Sequence, residues 1–256
     1  MVLRLTLGSL SNRKIALISV FSVIYLILRL LPTFPMVGMT GLFSLADTIA
    51  PLYGILLGPY VGALSIVIGT FLAIGLGKPP VFLGLDFLPA FMNALALGFL
   101  IRKKWLFVIV LNFFLLLIFS LHPYTLLFVN ISIGEMNFSL PYVWIHIIAF
   151  LVLLSPLSRW AVSWIEGSST KFIWIGFVIL FFIGTFIQHL TGNILFETIL
   201  GMFLKSIPFE AFPTIWTAIF WLYPIERTIL IIASSIIGII LIRSLRATSF
   251  KNFIKI

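Results

Sequence analysis

The chain has 256 residues, of which 62% are hydrophobic and only 9% charged, with a formal net charge of +9 and a mean hydropathy of +1.25. A water-soluble domain this apolar has too little polar surface to cover itself, so the composition specifies a polytopic helical membrane protein. Lysine and arginine lie mainly between apolar runs, which argues against the basic patch of a nucleic-acid-binding fold, and the absence of cysteine excludes disulfides and thiol chemistry.

A spanning helix needs about 20 mostly apolar residues, fewer where protein surrounds it. The first run, 15–31, follows Arg13 and Lys14 and closes at Pro32 and Pro35. It lacks a small-residue cleavage site, so it reads as a retained helix rather than a signal peptide. An uncharged linker, 33–45, leads to the short run 46–57, where Gly58-Pro59 forces a break because proline removes a backbone donor. Runs 60–76 and 81–101 follow, separated by Lys78-Pro79-Pro80, and Arg102, Lys103 and Lys104 form the densest basic cluster. The fifth and sixth runs are 105–121 and 141–157, with Glu135 in the segment between them. Residues 159–171 read as a mixed polar linker and 172–190 as the seventh run. A more polar stretch through Lys205, Glu210 and Pro213 precedes the last run, 215–242, interrupted at Tyr223-Pro224-Ile225-Glu226-Arg227.

Alternating the sides predicts an all-α transmembrane bundle of about eight spans, folded as one domain over 1–256 with both termini cytoplasmic; six or seven spans are compatible, because 46–57 is too short to cross untilted. Arg4, Arg13, Lys14, the 102–104 cluster, Arg159, Lys171, Arg243, Arg246, Lys251 and Lys255 then fall inside, and Lys78 and Lys205 outside, as the positive-inside rule requires of a multi-pass cell-membrane protein.

Small residues recur four apart at Gly54, Gly58 and Gly62 and at Ala90, Ala94 and Gly98. That spacing lets helices approach closely in lipid, either within the chain or at a docking face for another membrane protein. Acids within apolar runs cost about 2.5–3.5 kcal/mol at a helix centre. Asp47 and Asp86 fall near the external ends of their runs, where they can cap helices or, with Asn93 two turns below Asp86, line an external cavity suited to a cationic or hydroxyl-rich ligand. His189, Asn193 and Glu197, four apart with Gln188 beside them, make one polar stripe if the seventh helix continues. The stripe is read as membrane-surface polarity or as a substrate contact, since its spacing matches no zinc motif. Glu226 and Arg227 need not pair with each other, and Trp216, Trp221 and Tyr223 are placed for an interfacial belt or for stacking on a flat ligand. No nucleophile elbow, P-loop or H-E-x-x-H occurs, so no catalytic residue, metal ligand or cofactor is assigned and no enzyme activity is expected.

The order LADTIAPLYGILLGPYVGALSIVIGT, a Pro-rich turn and FLGLDFLPAFMNALALGFLIRKKW resembles the substrate-binding S component of energy-coupling factor (ECF) transporters, best over 15–105 and more loosely over 172–245, where PIERTILIIASSIIG is similar to the last helix of many members. The resemblance divides the domain into an S-component-like part, 15–104, apparent extra spans over 105–160, and C-terminal helices over 172–245. It implies a membrane protein that captures a vitamin-like or metal solute externally and topples within the bilayer, driven by a coupling transmembrane subunit and two cytoplasmic ABC-type ATPases. Residues assigned to the solute on this basis are Asp47, Asp86, Asn93, His189, Asn193, Glu197, Trp221 and Glu226. Gly58, Gly62, Ala90, Ala94 and Gly98 are assigned to partner docking, because the alanine spacing that members use on the first helix is lost where Ala16 is followed by Val20. An accessory subunit of a larger membrane complex and a lipid-modifying enzyme are the alternative readings.

Overall fold

Proline and glycine set the helix ends. In the computed structural model, which describes residues 11–35, 37 and 41–248, α1 (Asn12–Leu30) stops where Pro32 holds Leu31 in extended backbone. Helix α2 (Ala46–Leu57) ends at Gly58, whose φ of +80° suits only glycine, and Pro59 opens α3 (Pro59–Gly75) at the position where a missing N–H costs nothing. A 3-10 turn, Leu85–Phe87, leads into α4 (Leu88–Ile101), followed by α5 (Trp105–Leu121), α6 (Trp144–Leu154) and α7 (Pro156–Glu166). Helix α8 (Thr170–Leu195) widens into a π-helical stretch, Phe196–Phe203, and α9 (Phe212–Ala247) closes the described chain. Arg4, Lys251 and Lys255 lie outside the described residues.

Four features differ from the sequence reading. Across the linkers 33–45 and 122–140 two pairs of antiparallel strands form, β1 (Pro32–Pro35) with β2 (Leu42–Ser44) and β3 (Phe128–Ile133) with β4 (Met136–Pro141), the latter turning at Gly134-Glu135. Alternation of Val129 and Ile131, both buried, with Asn130 and Ser132 is the strand signal within the second. Residues 159–171 are not a linker. Ser158, Ala161, Val162 and Ile165 bury one face of α7, which is bent by 68° from α6 at Ser155. Nor does Pro224 interrupt α9. The helix continues through it, with Thr228 donating its hydroxyl to the Pro224 carbonyl at 2.7 Å, because without water to replace the backbone bonds a helix bridges a proline rather than fraying.

Helix α8 is the axis of the bundle, packed against α2, α4, α5, α6, α7 and α9. Close approach depends on small residues: a Cβ on Gly54 would strike the Ala94 backbone, one on Gly62 the Tyr53 carbonyl, one on Gly98 the Pro59 backbone, and one on Gly184 the Asn93 side chain. Ala90 and Ala94 are buried in the same α2–α4 seam, and Gly58 lies against the Arg102 guanidinium. The small-residue faces expected to dock a partner are therefore covered by the chain itself, through packing that drives association where hydrophobicity does not.

Around this core the bundle is inverted relative to a soluble protein. Large apolar side chains are exposed along the outer faces of α1, α3, α5, α6 and α9, for example Val20, Phe71, Leu106, Phe114, Leu151, Ile229 and Ile240. Helices Thr170–Phe203 and Phe209–Ala247 are long and apolar enough to cross a membrane, and the bent α6–α7 pair qualifies if it is one broken span. Charge is segregated between the two ends. One end carries Arg102 against Gly58, Lys103 at 3.6 Å from Glu166, and Arg246 donating to the Ile165 and Gly167 carbonyls. The opposite end carries both hairpins and a cavity.

Candidate functional site

The cavity, about 120 Å³, lies at the hairpin end among five parts of the chain: the C-terminus of α1, the β1–β2 hairpin with the start of α2, the α3–α4 connection, α8, and the first half of α9. Each polar element arrives by a local rule. Asp47, in the first turn of α2, reaches back so that its Oδ2 accepts the Ser44 N–H at 2.9 Å and the Ser44 hydroxyl at 3.0 Å, tying the hairpin to the helix start. Asp86 does the same for the α3–α4 connection, accepting the backbone N–H groups of Val81 at 2.8 Å and Phe82 at 3.1 Å. Neither acid caps the free N–H groups of a helix start, the role expected from the sequence; each instead fixes the loop before it.

Asp47 also accepts from Gln188 at 3.2 Å, and Gln188 accepts from Asn93 at 2.7 Å, so a buried relay crosses from α4 through α8 to α2. Arg29, near the end of α1, stands 3.7 Å from Asp86 Oδ1 and 3.5 Å from its backbone oxygen. Lys78 donates to the Arg29 carbonyl, and burial together with the nearby Arg29 charge holds its ammonium below the usual lysine range. On α9, Arg227 Nη2 lies 3.6 Å from Glu226 Oε2, and its guanidinium covers the Phe43 ring of the hairpin at 5.0 Å. The two α9 residues thus meet each other, rather than separate partners on other helices. Phe43, Phe82, Phe196 and Trp216 supply the aromatic part of the wall.

Of the residues expected to meet a solute, Asp47, Asp86, His189, Asn193 and Glu226 line this cavity. Three do not. Asn93 lies one layer behind, held by Gln188. Trp221 is 57% exposed on the outer face of α9, turned from the cavity by helical phase, whereas Trp216 is buried and lines it. Glu197 is fully buried in a separate cluster, with its Oε1 accepting from Thr125 at 2.7 Å and its Oε2 at 3.0 Å from His122 Nδ1. The helix does run through His189, Asn193 and Glu197, but the stripe is an interior one and not membrane-surface polarity. His189 Nδ1 meets His146 Nε2 at 3.0 Å, with the rings stacked at 13°.

The acids were expected to favour a cationic or hydroxyl-rich ligand, and the cavity sets three basic side chains, Arg29, Lys78 and Arg227, beside three carboxylates. Arg29 and Arg227 carry a sequence signal, since an ionisable residue inside an apolar run is a functional candidate by default. Gln188 and Trp216 become visible only with the packing. Among the described residues no group of three histidine, aspartate or glutamate side chains is placed to hold a metal ion.

No family model, curated protein or solved structure matches the chain.

Proposed function

We propose that this protein is a solute-binding membrane subunit of an uptake transporter of the S-component type, working with a coupling transmembrane subunit and cytoplasmic ABC-type ATPases. The observation that carries the reading is the cavity itself: charged and amide side chains from five parts of the chain converge inside a bundle whose outer surface is apolar. Such convergence is expensive in a membrane protein and marks a site for a polar solute.

In this reading α1 to α5, the bent α6–α7 pair, α8 and α9 each cross the bilayer, making eight spans, with α7 completing its span along the cytoplasmic boundary. The cations gathered at the end opposite the cavity support an orientation with the cavity outward. A lipid-modifying enzyme finds less support, because Arg159 on α7 and the Glu226–Arg227 pair belong to opposite ends of the bundle.

The test is equilibrium binding of a labelled panel of vitamin-like solutes to the detergent-purified chain, together with affinity purification from the native membrane. The reading expects a saturable solute, and an ATPase with a coupling subunit in the eluate. Absence of saturable binding across the panel favours an accessory subunit, and binding without ATPase partners removes the transporter assignment while leaving the site.

A further inference from the structure

Hydrogen-bond capacity within the cavity is unevenly spent. The carboxylates of Asp47 and Asp86 are occupied by the protein's own scaffold, with five donors between them: the Ser44 N–H and hydroxyl and Gln188 on Asp47, and the Val81 and Phe82 N–H groups on Asp86, all between 2.8 and 3.2 Å. The guanidinium groups are in the opposite condition. Arg29 is 8% exposed and Arg227 3% exposed, yet the nearest carboxylate oxygens stand at 3.7 Å and 3.6 Å, and the Nε of each has no hydrogen-bond partner. The Asn193 amide nitrogen, in the same wall, is also without one. A guanidinium has five N–H donors in a planar fork, and leaving such donors unmet in a buried site costs more than leaving them in water.

We infer that the cavity takes a small solute bearing an oxyanion, a carboxylate above all, with an apolar or aromatic body. Arg29 and Arg227 bind its anionic head, and Phe43 and Trp216 flank its body. The asymmetry of donors decides the sign. The cavity's formal charges balance, so charge alone selects nothing. A cation drawn to Asp47 or Asp86 would have to displace the donors they already hold, and one drawn to Glu226 would meet the Arg227 guanidinium 3.6 Å from it, whereas an oxyanion meets the Nε groups of Arg29 and Arg227, which have no hydrogen-bond partner. Charge-assisted bonds from a guanidinium fork are among the strongest a carboxylate makes. Phe43 ties this to the hairpin: the ring that Arg227 covers belongs to β2, so a ligand drawing on Arg227 also settles the roof above it.

This inference rests on the solute-binding reading, and a matched series separates the two. Benzoate, benzamide and benzylammonium share one ring and differ in head charge. Each is titrated into the purified chain while tryptophan fluorescence and melting temperature are followed. Benzoate is expected to bind, benzamide at least tenfold more weakly, and benzylammonium not at all. Arg227→Gln and Arg29→Gln are expected to weaken benzoate at least tenfold, with Arg227→Lys retaining part of the affinity. The lysine variant and the melting temperatures distinguish a lost contact from a lost fold.

Preference for benzylammonium overturns the oxyanion inference and leaves solute binding standing. So does benzoate binding that is indifferent to both arginine substitutions. Failure of all three probes in neutral-lipid nanodiscs, with the same fluorescence change produced by phosphatidylglycerol in place of phosphatidylcholine, assigns the arginines to a lipid phosphate; the oxyanion chemistry then stands and the solute reading falls. Failure of all probes and both lipids removes both.

Discussion

Asn93 donates to Gln188 at 2.7 Å, and Gln188 donates in turn to Asp47 at 3.2 Å, which makes a polar relay through three helices of an otherwise apolar core. A buried amide deprived of its partner costs about 1–3 kcal/mol. Asn93→Leu is therefore expected to destabilise the protein by that order and to free Gln188 from its position, with Asp47 and the hairpin loosened after it. The double substitution Asn93→Leu with Gln188→Leu is expected to cost less than the sum of the two singles in thermal unfolding. Strict additivity would show that the relay is not a unit.

Gly54 and Gly75 make a controlled pair. At Gly54 a methyl group collides with the Ala94 backbone, and at Gly75, also helical, it meets open space. Gly54→Ala is expected to push α2 from α4 and lower stability by about 1–3 kcal/mol, or to prevent folding. Gly75→Ala is expected to leave the melting temperature unchanged or raise it, since it removes freedom from the unfolded chain. Equal effects at the two positions would contradict the seam.

The basic end offers a contrast between two cations. Lys103 and Glu166 are an exposed pair 3.6 Å apart, and removing it is expected to change stability by less than about 1 kcal/mol. Arg246 donates to the carbonyls of Ile165 and Gly167 at 2.5 Å each, closing the end of α7 onto α9. Arg246→Ala is expected to cost about 1–3 kcal/mol and to speed proteolysis after Glu166. A larger loss from Lys103→Ala than from Arg246→Ala would reverse this order.

Orientation is open to a direct check because the native chain has no cysteine. Glu135→Cys lies on the exposed turn at the cavity end, and Ser168→Cys on the exposed connection before α8. In intact cells a membrane-impermeant maleimide is expected to label Glu135→Cys at once and Ser168→Cys only after permeabilisation. The reverse pattern would invert the proposed topology.

Helix positions were legible where glycine, proline and charge punctuate the apolar runs. The boundaries 46–57 and 105–121 coincide with α2 and α5, because Gly58-Pro59 and Lys104 mark chain reversals that no local propensity opposes. Pro224 misled by the same logic, since a rule learned from helices in water does not survive an environment without competing donors. The α7 helix was hidden by its charges, Arg159 and Glu166, although its buried residues fall at helical spacing. Half of the site was visible as intramembrane acids and the polar stripe on α8. Arg29 was passed over because the topology argument counted cations between runs and not inside them, Arg227 was weighed beside Glu226 but not assigned to the site, and the separation of Glu197 from His189 depends on partners, His122 and Thr125, more than seventy positions away in the chain.

The bend at Ser155 has a mechanical consequence. Helix α7 presents Trp160 and Arg159 outward and is clamped to α8 where Ala161 meets Gly176. A helix with tryptophan and arginine on its free face settles at the boundary between headgroups and acyl chains, so the bundle carries an outrigger rigidly joined to its own axis.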